Sequence, residues 1–137
     1  MLEKMIGGRL NRKKYIMYYL AAIVASVVAM MLFSAAMMVT GQLENMEQGG
    51  PMYMGGLLIG LFANLVTACL GIRRLHDLGR GGKWVLAVIV PSVLSFGVYF
   101  LDSSLVTNLV SALDIAVVMA LAVMKGNDGA NEFGPAS

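Results

Sequence analysis

Charge is what this sequence has least of. Lysine and arginine number 10 and aspartate and glutamate 8 in 137 residues, so that 13% is charged against 58% hydrophobic. Soluble domains carry about a quarter charged residues and about 45–50% apolar ones. A chain this short could not cover so much apolar surface in water, and its mean hydropathy of +0.76 excludes an ordinary soluble domain. The net charge of +2 is too small to argue for nucleic acid as a partner. A single cysteine, Cys69, excludes an intrachain disulfide. His76 is the only histidine, and zinc asks for four ligands, or three and a water, so neither a metal site nor a cofactor is expected. His76 and Asp77 are adjacent, but successive helical side chains diverge by about 100°. No nucleophile neighbours them. No catalytic constellation is complete, and an enzyme is not expected.

Long apolar runs are what the chain has in plenty. A bilayer core about 30 Å thick needs roughly 20 apolar residues in a helix. Four segments meet or approach that length: 15–39, 52–72, a shorter 84–101, and 105–124. None alternates apolar with polar residues, which excludes strands of a closed barrel. The first run is too long for a signal peptide, whose apolar region covers about 7–15 residues, so an uncleaved span is expected. The fold class predicted is an all-α membrane protein, a single domain built as a compact bundle of four transmembrane helices.

Lysine and arginine set the orientation of such spans. Lys4, Arg9, Arg12, Lys13 and Lys14 precede the first run, Arg73, Arg74, Arg80 and Lys83 lie between the second and third, and Lys125 follows the fourth. The other two connections hold none; the first carries Glu44 and Glu47, and the second carries Asp102 as the expected N-cap of span four. Both termini and the middle connection are therefore expected in the cytoplasm, in a multi-pass protein.

Helices in lipid associate through small residues and interhelical hydrogen bonds. Gly56 and Gly60, then Ala22, Ser26 and Ala29, and Ala112, Ala116 and Ala120 supply such faces, either within the bundle or between copies in a homo-oligomer. Asp114 falls midway along span four. A carboxylate there costs about 2.5–3.5 kcal/mol on insertion scales and marks a functional candidate. Asn64, Ser92 beside Pro91, and Ser26 fall at similar depth, which predicts a buried polar layer. It either lines a proton or cation path in an oligomeric channel or transporter, or locks helix register.

Three polar motifs fall at the cytoplasmic side. Gly8-Arg9 with Arg12 and Tyr15 opens the chain, and Arg73-Arg74-Leu75-His76-Asp77 with Gly79, Gly82 and Trp84 stands in the middle. Gly126, Gly129, Asn131, Phe133, Gly134 and Pro135 follow the last span. On these residues the chain resembles, over nearly its whole length, the domain of unknown function 805 family of small bacterial inner-membrane proteins. The resemblance implies four helices and an inner-membrane location, and assigns no activity.

Arginines grip phosphate or carboxylate in bidentate fashion, and glycine amides can approach an anion closely. Arg9, Arg12, Arg73, Arg74, His76, Asp77 and Arg80 are therefore a candidate site for an anionic lipid headgroup, a phosphorylated small ligand or a partner protein. The competing reading has Asp77 and Glu132 pair with the arginines and the glycines turn the chain. The tail lacks the spacing of a calcium loop and is expected to be structural, packing Phe133 on the bundle. Binding or scaffolding is the leading expectation; transport through Asp114 and Asn64 is the alternative.

Overall fold

The computed structural model describes residues 7–42, 50–100 and 103–135, and among these the chain is helical apart from connections and one isolated bridge in the tail. Helix α1 spans Arg12–Val39, α2 Pro51–Asp77, α3 Leu86–Gly97 and α4 Ser104–Val123. Helices α1, α2 and α4 are long and apolar enough to cross a membrane, at about 42, 40 and 30 Å for a rise of 1.5 Å per residue. Helix α3 has 12 residues and is extended by 3-10 turns at Gly82–Val85 and Val98–Phe100. The third apolar run is thus helical over residues 82–100 but irregular at both ends.

Local chemistry sets the helix ends. Asn11 caps α1, its side chain accepting from the Lys14 amide at 2.9 Å. Pro51 takes the first position of α2, where its missing N–H has no cost. The far end of α2 runs five residues past its apolar run, so Arg73 and Arg74 sit on the helix and not in the connection. It stops in a Schellman motif: the Gly79 amide bonds the His76 carbonyl, and the Arg80 amide bonds the Leu75 carbonyl. Gly79 takes φ +67° there, the left-handed region that glycine enters without steric cost. Ser103 occupies the N-cap position of α4; Asp102, Lys4, Glu44 and Glu47 lie outside the described residues.

The helices follow one another around a ring, α1 against α2, α2 against α3, α3 against α4, and α4 back against α1. Their buried side chains gather at one end. The buried apolar side chains among the described residues, Leu10, Tyr15, Leu70, Ile72, Leu75, Val88 and Leu121, all lie toward the start of α1 and α3 and the end of α2 and α4. Val88 seats on Gly71, where an added Cβ would fall 2.8 Å from it. Toward the other end α1 and α2 stay in contact at Gly55 and Gly56, but no large apolar side chain among the described residues is buried there. Large apolar side chains such as Leu32, Phe62, Val93 and Leu109 are exposed along their outer faces, as expected of surfaces solvated by lipid.

Ala112, Ala116 and Ala120 are exposed and do not pack within the bundle, because Asp114, Val117 and Leu121 turn the opposite face of α4 inward; this leaves the alternative of a contact between copies as it stood. Helix α1 approaches α2 closely at Gly55, which lies under the Phe33 ring, and at Gly56, where an added Cβ would fall 3.2 Å from the Met30 side chain, while nothing lies within 4 Å of a Cβ built on Gly60.

Candidate functional site

Two polar constellations stand out, one at the packed end and one at mid-depth. At the packed end Asp77 is the hub. Both Arg9 Nε and Arg9 Nη2 donate to Asp77 Oδ1, at 3.2 and 3.1 Å, and Arg74 Nη1 donates to Asp77 Oδ2. The Arg9 and Arg74 side chains are 1% and 0% exposed. Their remaining donors reach backbone: Arg9 to the carbonyls of Asn127 (2.6 Å), Gly129 (2.6 Å) and Gly134 (3.4 Å), and Arg74 to those of Leu121 (2.9 Å), Leu10 (3.4 Å) and Met124. Burial without water makes this saturation obligatory, since an unmet guanidinium donor there costs the full desolvation of a charged group.

The tail is built to receive these bonds. Its residues 131–134 form a tight turn closed by reciprocal backbone bonds between Asn131 and Gly134, both at 3.0 Å. Asn131 accepts from the Phe133 amide and donates to the His76 carbonyl at 2.9 Å. Phe133 stacks on His76, centroids 4.1 Å apart and planes 3° from parallel. Gly134 supplies a carbonyl to Arg9, while Pro135 is exposed at the turn's exit. Gly126 cannot bear a side chain, because a Cβ would collide with the Asp77 carboxylate; one on Gly81 would fall 2.5 Å from the Phe133 ring. The glycines thus make room for the tail, and the amides of Gly79 and Arg80 are held inside the helix stop. The result is a clasp rather than an open anion cradle.

Of the other cluster residues, His76 joins the clasp through its stack and its carbonyl, while Arg12, Arg73 and Arg80 stand outside it. His76 Nδ1 lies 3.3 Å from the Gly8 carbonyl. Arg80 rests over the Trp84 ring, 4.2 Å from its centroid. Arg73 is partly buried, and its Nε has no hydrogen-bond partner among the described residues. Arg12 is exposed, near the Val123 carbonyl at 3.5 Å. With Asn11, Lys13, Lys125, Asn127 and Asp128 it lines a shallow cleft of about 290 Å³ floored by Arg74 and Asp77. Glu132 is exposed.

A family model described as a protein of unknown function (DUF805) matches residues 5–135. The chain belongs to the DUF805 family. Neither a curated protein nor a solved structure matches it. The residues carrying the DUF805 resemblance converge on the clasp: Arg9, Arg74, Asp77 and Phe133 form its bonds and stack, and Gly79 and Gly126 leave the space it closes through. In this DUF805 chain the motifs are thereby explained as devices that join both ends of the chain to α2.

At mid-depth Asn64 donates to the Ser92 carbonyl at 3.1 Å, bridging α2 to α3 beside the buried Pro91. Asn64, Ser92 and Asp114 share a small cavity with Tyr15, Tyr19 and Thr67. Ser26 does not join them; its hydroxyl bonds the Ile23 carbonyl at 2.8 Å, and it lines an apolar groove between α1 and α2. Sequence reasoning missed Ser95, Thr107 and Ser111, which line a larger cleft with Asn64 and Asp114. The signal was present: Thr107, Ser111 and Asp114 follow i, i+4, i+7, one face of a helix.

Proposed function

We propose that this DUF805 chain is a four-span protein of the bacterial inner membrane with both termini and the α2–α3 connection in the cytoplasm. We propose further that it is a binding module for phosphate-bearing anions, foremost anionic lipid headgroups. The basic residues of the described chain all belong to the packed end, which supports the orientation by the positive-inside rule. The observation that carries the binding role is the division of labour among those residues. Arg9 and Arg74 are saturated inside the clasp, while Arg12 and Lys13 remain exposed around the cleft above it. Each basic residue near an anionic leaflet adds about 1 kcal/mol of attraction. The rigid clasp fixes the spacing of these groups, so a headgroup would meet a set geometry.

The test is native mass spectrometry of protein extracted gently from its membrane. Arg12→Ala with Lys13→Ala should remove a retained anionic lipid that Lys14→Ala with Lys83→Ala leaves in place. Equal loss from both pairs would reduce the cleft to ordinary topology charge. Displacement by inorganic phosphate would identify the phosphate group itself as the recognised chemistry.

A further inference from the structure

The second constellation has properties that register-locking does not require. Asp114 is the eleventh of the 20 residues of α4, so it lies near the middle of the span. No side chain among the described residues donates a hydrogen bond to its carboxylate, and no basic side chain among them pairs with it. It lines a cleft of about 470 Å³ whose other walls come from Asn64 of α2 and from α3 and its 3-10 extension. Ser111 and Thr107 line the same cleft at helical spacing from Asp114, and Ser95 lines it from α3. The Thr107 hydroxyl hydrogen goes to the Ser103 carbonyl at 3.1 Å, which leaves its oxygen lone pairs as acceptors. The wall between these groups is apolar, with the Phe96 ring among its residues.

We infer that this cleft is a binding site for a small organic ammonium ion, with Asp114 as its counter-ion. One carboxylate matches one positive charge. Hydroxyl oxygens and the Asn64 amide accept from N–H groups, and an aromatic face attracts a cation. The volume falls within the range of about 300–1,000 Å³ typical of small-molecule sites. That is far more than a dehydrated alkali ion needs, and the apolar wall suits carbon. Toward the clasp the helices are sealed by Tyr15, Leu75, Val88 and Leu121. The inference rests on the membrane-spanning reading and is independent of the anion cleft.

The experiment is isothermal titration of the full chain in phosphatidylcholine nanodiscs with benzylammonium, with benzyl alcohol as the uncharged isostere and empty nanodiscs as the partition control. A saturable heat with benzylammonium alone is expected, weakened tenfold or more by Asp114→Asn and unchanged by Lys83→Ala. Ser111→Leu fills the cleft without touching the charge and should also abolish the heat, so the inference stays exposed should Asp114→Asn fail to fold. Unchanged binding in both variants, equal binding of benzyl alcohol, or no saturable heat would overturn it. Competition by sodium at equal concentration would overturn the organic class in favour of a metal cation. A chain that fails to enter nanodiscs would sink the membrane reading as well, which separates the two failures.

Discussion

Asp77 pairs one carboxylate with two guanidiniums, and its loss would leave two cations buried against carbonyls alone. Deleting one partner of a buried ion pair costs about 3–5 kcal/mol. Asp77→Ala should therefore produce a large fall in the thermal unfolding midpoint in detergent, and Asp77→Asn, which keeps the shape but not the charge, should recover only part of it. Gly126→Ala should be similarly damaging, because its new methyl group has nowhere to go but the Asp77 carboxylate. By contrast Lys125 and Asp128 pair at 2.7 Å with both side chains nearly four-fifths exposed, and Lys125→Ala should leave the midpoint unchanged.

At the scale of the element, the end of α4 is the instructive case. Its last turn carries no basic residue of its own, yet its carbonyls need donors. Arg74 supplies them from α2, bonding the carbonyls of Leu121 and Met124. Arg74→Met keeps the length of the side chain and removes the donors. It should speed amide exchange in the segment after Val123 and in the tail beyond it, with the middle of α2 unaffected. The sequence made the helices legible because unbroken apolar runs have few alternatives in lipid. It did not make this cap legible, since hydropathy cannot say which of two adjacent arginines faces inward. Arg73 and Arg74 differ by about 100° around the helix, and only the position of the tail decides between them. The same limit explains the alanines of α4: small residues at spacing four mark a face that could pack, whereas the inward face was claimed by the polar groups and by Leu121. Ser26 had the right depth and the wrong azimuth.

Across the whole molecule the buried side chains gather at the clasp end, while at the other end α1 and α2 meet through Gly55 and Phe33. Depth, which follows from position along a run, was readable for Asn64, Ser92 and Asp114; the cleft itself was not, because it depends on where packing stops. The orientation yields a direct prediction. In a Cys69→Ser background, Gln42→Cys in intact cells stripped of their outer membrane should react with a membrane-impermeant maleimide, and Lys83→Cys should react only after the membrane is opened. The reverse pattern would invert the bundle and place the clasp outside.

The clasp also has a place in time. Arg9 precedes the four described helices, whereas the Gly134 carbonyl it binds comes 125 residues later. Arg74 meets its partners as α4 ends, because Leu10, Asp77, Leu121 and Met124 all precede Gly126. By then Arg9 has Asp77, but the carbonyls of Asn127, Gly129 and Gly134 have still to be made. A nascent chain arrested before Gly126 would therefore hold Arg74 latched and Arg9 half-latched, and synthesis of the tail closes the clasp in a second step.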